Sequence, residues 1–192
     1  MSKERHLALV TGASAGIGEA LASELAASGY DLVLVARRTG KLRSVAKRLQ
    51  DKYGIEAHVR TTDLLEPGAA ARLARRLERE GLAVDVLVNN AGLLEAGYFT
   101  AMDTAALQRM VQLNTGTLTD LLAQFVPPMQ GRGSGHVMNV ASIAAFQPVV
   151  GLAAYAASKA YVLSLGEALG EELRGSGVTV TTLCPGITDT SM

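Results

Sequence analysis

Tyr155 and Lys159 stand four residues apart in Tyr155-Ala156-Ala157-Ser158-Lys159, a spacing that sets a phenol and an ammonium on one face of a helix. A phenol is a poor base at neutral pH until a nearby cation favours its anion, and Lys159 could supply that field. Proton transfer to or from an oxygen is the chemistry such a pair would do, although the same spacing also arises by chance. A second cluster, Thr11-Gly12-Ala13-Ser14-Ala15-Gly16-Ile17-Gly18, follows a strand and opens a helix. Gly12 permits a tight turn, Gly16 lets backbone N–H groups approach a pyrophosphate, and Gly18 lets the helix pack near the sheet, with its positive N-terminus towards the anion. The bland alternative is a tight βα connection and nothing more.

About 20 residues beyond the glycines, a dinucleotide fold that prefers NAD places an acid against the ribose 2′-hydroxyl. This chain has Ala36-Arg37-Arg38 there. A guanidinium offers a planar, permanently charged fork to a 2′-phosphate, so the pair points to NADP(H), with Arg37 the stronger candidate. Ordinary surface charge is the competing reading.

The elements that must hold these residues alternate. Short apolar runs at Leu7–Val10, Asp31–Val35, Glu56–Val59, Val84–Val88, His136–Val140 and Val178–Leu183 read as strands. Between them, helical spacing appears from Glu19 to Ala27, at Leu42, Val45, Ala46 and Leu49, at Leu73, Ala74 and Leu77, and in long segments from Thr104 to Val126 and Ala153 to Leu173. Strands alternating with helices require crossovers, hence a parallel sheet covered on both faces. The five residues Gly131–Gly135 read as a surface loop, so residues 1–192 are expected to be one α/β domain.

Composition narrows the classes. Eighteen basic residues balance 18 acidic ones, so no overall field draws the chain to nucleic acid or a membrane surface. No apolar run approaches a membrane span. The single Cys184 and the polar start Met1-Ser2-Lys3-Glu4-Arg5-His6 suggest a cytoplasmic setting. His6, His58 and His136 are far apart without ligand companions, so no metal site is expected, and Met102, Met110, Met129 and Met138 read as packing residues.

With the glycine turn, Asn89-Asn90-Ala91-Gly92 after strand four, Ser142 after strand five and the Tyr155 to Lys159 spacing all in order, the chain resembles the short-chain dehydrogenase/reductase family over essentially its whole length. The resemblance implies a Rossmann-like, doubly wound sheet in the order 3-2-1-4-5-6 and a hydride transfer between NADP(H) and a carbonyl or alcohol carbon. It implies a catalytic set of Asn114, Ser142, Tyr155 and Lys159. Tyr155 would exchange the proton, Ser142 would orient the substrate oxygen, Lys159 would tune Tyr155 and hold the nicotinamide ribose, and Asn114 would hold a relay water. It further implies cofactor contacts at Gly12, Ser14, Gly16, Ile17, Gly18, Arg37, Arg38, Asp63, Asn90, Gly92, Pro185, Gly186 and Thr188, with Thr190 a weaker candidate, and a homodimer or homotetramer built on the two long helices.

Family members usually continue past the Pro-Gly motif into a substrate lid and a seventh strand, whereas this sequence stops at Met192, so a C-terminal segment is expected to be missing. The remaining pocket residues, Leu93-Leu94 and Ala144 to Val150, are mostly apolar and suggest a hydrophobic small-molecule carbonyl or alcohol. Two alternatives remain: a catalytically silent nucleotide-binding regulator or scaffold of the same fold, and a nucleotide-sugar epimerase or dehydratase, for which the chain is short.

Overall fold

The Leu7-Ala8-Leu9-Val10 run has helices on both sides, so a central parallel strand must be apolar throughout rather than alternating. In the computed structural model, which describes residues 5–187, that run is buried in β1 (Leu7–Thr11). Five further strands join it: β2 (Asp31–Ala36), β3 (Ala57–Thr61), β4 (Val86–Asn89), β5 (Gly135–Val140) and β6 (Val178–Leu183). All pairings are parallel, in the order β3-β2-β1-β4-β5-β6. The chain winds outwards from β1 to β3 and returns to β4 on the other side of β1, so the order reverses between β1 and β4. Loops at the carboxyl ends of these two strands diverge and leave the crevice in which such sheets bind ligands.

One face is covered by α1 (Gly16–Ala27) and α2 (Thr39–Tyr53), which bury Ala22, Ala26, Leu42, Val45 and Leu49 against Ala8, Val10, Leu32, Leu34 and Val88. The other face carries α3 (Ala69–Arg79), α5 (Leu118–Gly131) and α6 (Ala153–Glu172), with Leu73, Leu77, Leu121, Phe125 and Val162 packed towards Leu9, Val33, Leu87 and Val137. A short α4 (Thr104–Val111) completes the set. Gly54 ends α2 in the left-handed conformation at φ 65°, where a side chain would be strained, and its N–H closes the helix on the Gln50 carbonyl.

The edges are blunted by charge and polarity. In β3 the Arg60 side chain is nearly buried and pairs with Glu80, an inward charge that discourages edge-to-edge pairing. In β6 burial alternates, and His136 and Thr179, whose side chains are 2.8 Å apart, are exposed with Thr181 on the same face of the sheet as α1 and α2.

The strand order and two-sided helix cover agree with expectation, and the boundaries shift by one or two residues. The larger difference is the helix expected from Thr104 to Val126. It is interrupted by a turn of π-helix at Gln112–Thr117 and runs on through Pro127 and Pro128 to Gly131. Thr115 and Thr119 donate to the carbonyls of Val111 and Thr115, at 2.7 and 2.9 Å, and such bonds compete with regular helical pairing.

Candidate active site

Thr11, the last residue of β1, ties the diverging strands together. Its fully buried hydroxyl donates to the Val88 carbonyl at 3.1 Å and accepts from the N–H groups of Asn90 and Ala91, both at 3.0 Å. One donor and two lone pairs are thereby used. The Asn90 amide donates back to the Thr11 carbonyl at 2.9 Å and fills the space beside the glycine turn. A Cβ on Gly12 would lie 2.6 Å from Asn90 Nδ2, and one on Gly18 would overlap the same atom and come 2.5 Å from the Gly12 carbonyl oxygen. Close approach of two backbones therefore requires glycine at both positions, while Gly12 and Gly16 also have positive φ of 68° and 59°.

No side chain caps α1 at Ala15. The first-turn N–H groups at Gly16, Ile17 and Gly18 thus have no side-chain cap from Ala15, the arrangement a helix terminus needs to receive an anion. Beside it, Arg38 Nη2 donates to Ser14 Oγ at 3.1 Å, drawing one guanidinium from the end of β2 onto the turn. Arg37 is exposed at the same strand end. The expected ranking, Arg37 ahead of Arg38, therefore has no geometric support, because it is Arg38 that touches the turn. Asp63 is half-buried after β3, its carboxylate accepting the Leu65 N–H at 3.0 Å in an Asx-type turn. These residues fit a dinucleotide carrying an extra phosphate: a glycine cradle, a bare helix terminus and a guanidinium beside them.

The catalytic candidates gather at the other end of the crevice. The π turn carries Asn114 into the interior, where it is 2% exposed. Its amide accepts the Leu93 N–H at 2.8 Å, donates to the Leu93 carbonyl at 2.9 Å and donates to Ser158 Oγ at 3.0 Å. Ser158 donates to the Tyr155 carbonyl at 2.7 Å. The helix is distorted around Asn114, and the bonds of its side chain reach 21 and 44 residues away. Lys159 lies one helical turn beyond Tyr155, its Nζ 5.8 Å from the Tyr155 ring centroid and 2.8 Å from the Val140 carbonyl that accepts from it. Burial pushes the ammonium down to about 8, with a smaller opposing influence from Cys184. Gly92 passes above, where a Cβ would be 3.1 Å from Asn114 Oδ1 and 3.7 Å from Lys159 Nζ.

Ser142 ends the β5 segment, and its hydroxyl oxygen accepts the Ala144 N–H at 3.1 Å. That capping contact leaves the hydroxyl proton free to donate elsewhere. The Pro185 carbonyl accepts the Ile143 N–H at 3.0 Å, which brings the Pro185-Gly186 segment against the Ser142 turn. Thr188 and Thr190 lie outside the described residues.

Three participants were not among the expected site residues. Thr11 and Ser158 are the hubs just described. The third is Asn139, fully buried in β5, which accepts from Asn89 Nδ2 at 3.0 Å beneath the site. Asn139 breaks an apolar strand pattern at a position facing the core, and that polar interruption was the available signal.

A phenol, a buried ammonium, a serine hydroxyl and a pinned asparagine beside a glycine cradle define the crevice of a nucleotide-dependent oxidoreductase. The chain matches the short chain dehydrogenase family over residues 6–192 and belongs to it. It is 37% identical over 187 residues to an uncharacterized oxidoreductase of Staphylococcus saprophyticus, covering 97% of this chain and 80% of that protein. Among solved structures, a short-chain dehydrogenase from Sphingobium yanoikuyae in complex with NADPH superposes with TM-score 0.91 at 38% identity, covering 96% of this chain and 72% of that one. A bulky-bulky ketone specific alcohol dehydrogenase from Comamonas testosteroni superposes with TM-score 0.91 at 34% identity, covering 97% and 75%. Among the described residues no helix is long and apolar enough to cross a membrane, and no three His, Cys, Asp or Glu side chains cluster as metal ligands.

Proposed function

We propose that this chain is an NADP(H)-dependent oxidoreductase that interconverts a carbonyl and an alcohol on a hydrophobic small molecule, with Tyr155 as its acid and base. The observation that carries the reading is the convergence of Tyr155, Lys159, Ser142 and Asn114 at the carboxyl ends of β4 and β5. The cofactor, when bound, supplies or accepts the hydride. In the reducing direction the Tyr155 hydroxyl gives its proton to the substrate oxygen as charge builds there, and it takes the proton back in oxidation. Ser142 donates a hydrogen bond to the same oxygen, and the proton left free by its contact with Ala144 makes it suited to that role.

Lys159 adds positive charge beside the phenol in a site shielded from water, where charge acts more strongly. Asn114 pins Leu93 and Ser158, fixing the loop after β4 against the helix that carries Tyr155. Gly12, Gly16, Ile17 and Gly18 would hold the pyrophosphate, Ser14 and Arg38 the 2′-phosphate with Arg37 nearby, Asp63 the adenine, Asn90 and Gly92 the ribose edge, and Pro185 with Gly186 the nicotinamide. NADPH complexes among the structural relatives support the cofactor choice, and a ketone-specific relative supports the substrate class. No observation favours the silent-scaffold alternative.

Tyr155→Phe keeps the ring and removes the exchangeable proton. NADPH-dependent ketone reduction should fall by about 10²–10⁴-fold with NADPH binding retained, and near-normal turnover would refute the assigned role. Arg38→Ala should raise the KM for NADPH by about tenfold or more and leave NADH less affected; a larger effect from Arg37→Ala would reverse the order taken from the Ser14 contact. We further propose a cytoplasmic homodimer or homotetramer, supported by the exposed Val111 and by the Thr119 and Tyr161 hydroxyls, 2.8 Å apart on the outer faces of α5 and α6. Light scattering that gives a monomer at micromolar concentration would count against it.

A further inference from the structure

The balanced charge of the chain conceals an asymmetry. Residues 1–80, which carry the glycine turn and α1 to α3, hold 14 Lys and Arg against 10 Asp and Glu. Residues 81–192, which carry the catalytic end, hold 4 against 8. Of those four cations, Lys159 is buried and committed to the Val140 carbonyl. Arg132 is bound to Asp85 and the Val84 carbonyl, Arg174 to Glu171, and Arg109 is exposed on α4.

The walls on the substrate side sharpen the contrast. The loop after β4, residues 90–103, and the loop after β5, residues 141–152, are joined by the Gly97 N–H donating to the Gly151 carbonyl at 2.8 Å. Their rim is apolar: Tyr98, Phe99, Phe146 and Val150 are 75%, 63%, 66% and 87% exposed. Between them the two loops contain two charged residues, both acidic. Asp103 is occupied in capping α4, where it accepts the Ala106 N–H at 2.9 Å. Glu95 remains. It lies three residues after Gly92, which sits above Lys159, and so at most about 10 Å along the chain from it. Its backbone is fixed by an N–H to Met110 Sδ contact of 3.2 Å.

We infer that the site selects its carbonyl substrates by charge, taking uncharged apolar ketones and rejecting those that carry a carboxylate or phosphate, with Glu95 as the residue that sets the preference. This rests on the oxidoreductase reading. An anionic substituent lodged between these loops leaves water, meets no cation borne by either loop and adds its charge to that of Glu95. At a separation of about 10 Å and an effective dielectric near 20, that repulsion is worth roughly a factor of ten.

The test compares 4-acetylbenzoate with its methyl ester, a pair alike in shape that differs in charge, following NADPH consumption. The native protein should favour the ester in kcat/KM by about tenfold or more, and added salt should shrink the ratio. Glu95→Gln should shrink the ratio by roughly tenfold, and Glu95→Lys should carry it towards the acid. A ratio unchanged by both substitutions overturns the inference. Should neither ketone be reduced, the oxidoreductase reading fails separately. The same ratio is then read from calorimetric binding of the two compounds, where preference for the ester that Glu95→Lys diminishes supports charge selection and equal binding overturns it.

Discussion

The two ends of the crevice are built by opposite means. At the glycine turn the decisive contacts belong to side chains that are missing: Gly12 and Gly18 leave the space that Asn90 Nδ2 and the Gly12 carbonyl occupy. At the catalytic end they belong to side chains that are buried and polar: Asn114, Ser158 and Lys159 each reach a partner in a different element. The first end is set by sterics and fails by overlap. The second is set by polar satisfaction and fails when a partner is left without its bond. Thr11 and Asn90 join them, since one residue bonds both the turn and the strand that leads to Gly92.

The sharpest way to break this contrast is at the turn. Gly18→Ala adds one methyl where two polar groups already stand, and should destabilise the fold by about 3 kcal/mol and remove cofactor binding, as overpacking without room to relax does. Gly40→Ala in α2 meets nothing within 4 Å and should be neutral or stabilising by about 0.5–1 kcal/mol. Urea denaturation of both variants gives the comparison. If Gly18→Ala proves as mild as Gly40→Ala, the steric account of the turn is wrong.

Asn114 provides the matching test at the polar end. Asn114→Ala strips the Leu93 carbonyl and the Ser158 hydroxyl of a donor in a buried setting and should cost about 2 kcal/mol. Asn114→Asp keeps the acceptor for the Leu93 N–H but no longer donates, so it should recover little. In a double-mutant cycle with Ser158→Ala the two losses should be less than additive, because both substitutions break one bond. Full additivity would mean that Asn114 and Ser158 act independently.

The same division explains what the sequence made legible. Periodicity exposed the six strands and the layers of helix, because Val33 or Leu42 faces the core for reasons contained in its own segment. Spacing exposed Tyr155 with Lys159 for the same reason. Features that depend on a distant partner were hidden. Nothing near Thr11 announces a bond to a loop 79 residues on, and nothing near Asn114 announces that Leu93 will supply both a donor and an acceptor. The π turn was missed because Thr115 and Gly116 look like an ordinary weak stretch of helix, and the end of α5 because Pro127 reads as a stop where packing of Met129 carries the helix on. Charge alone does not distinguish the adjacent guanidinia of Arg37 and Arg38, and the reach of Arg38 to Ser14 depends on a partner 24 residues away.

Lys159 gives the smallest effect and the most direct one on the contrast, since here polar satisfaction is incomplete. Among the described residues its ammonium is held by one carbonyl in a buried position, and burial lowers it to about 8 from the ordinary 10.5. The unfolded chain therefore binds a proton that the folded chain releases between these two values. Stability is penalised in full below about pH 8, and the penalty is relieved as pH rises towards 10.5. Lys159→Met keeps much of the stem, gives up the bond to Val140 and removes the buried charge. It should raise stability at pH 7 by about 1–2 kcal/mol, as replacing a function-bound buried polar group does, while ketone reduction falls. The gain should shrink at pH 10, where the native ammonium is already largely neutral in the folded state. Urea midpoints at the two pH values decide the matter: a variant less stable than the parent at pH 7 would mean that the single bond to Val140 offsets desolvation. The catalytic end would then be as well satisfied as the glycine turn is well packed.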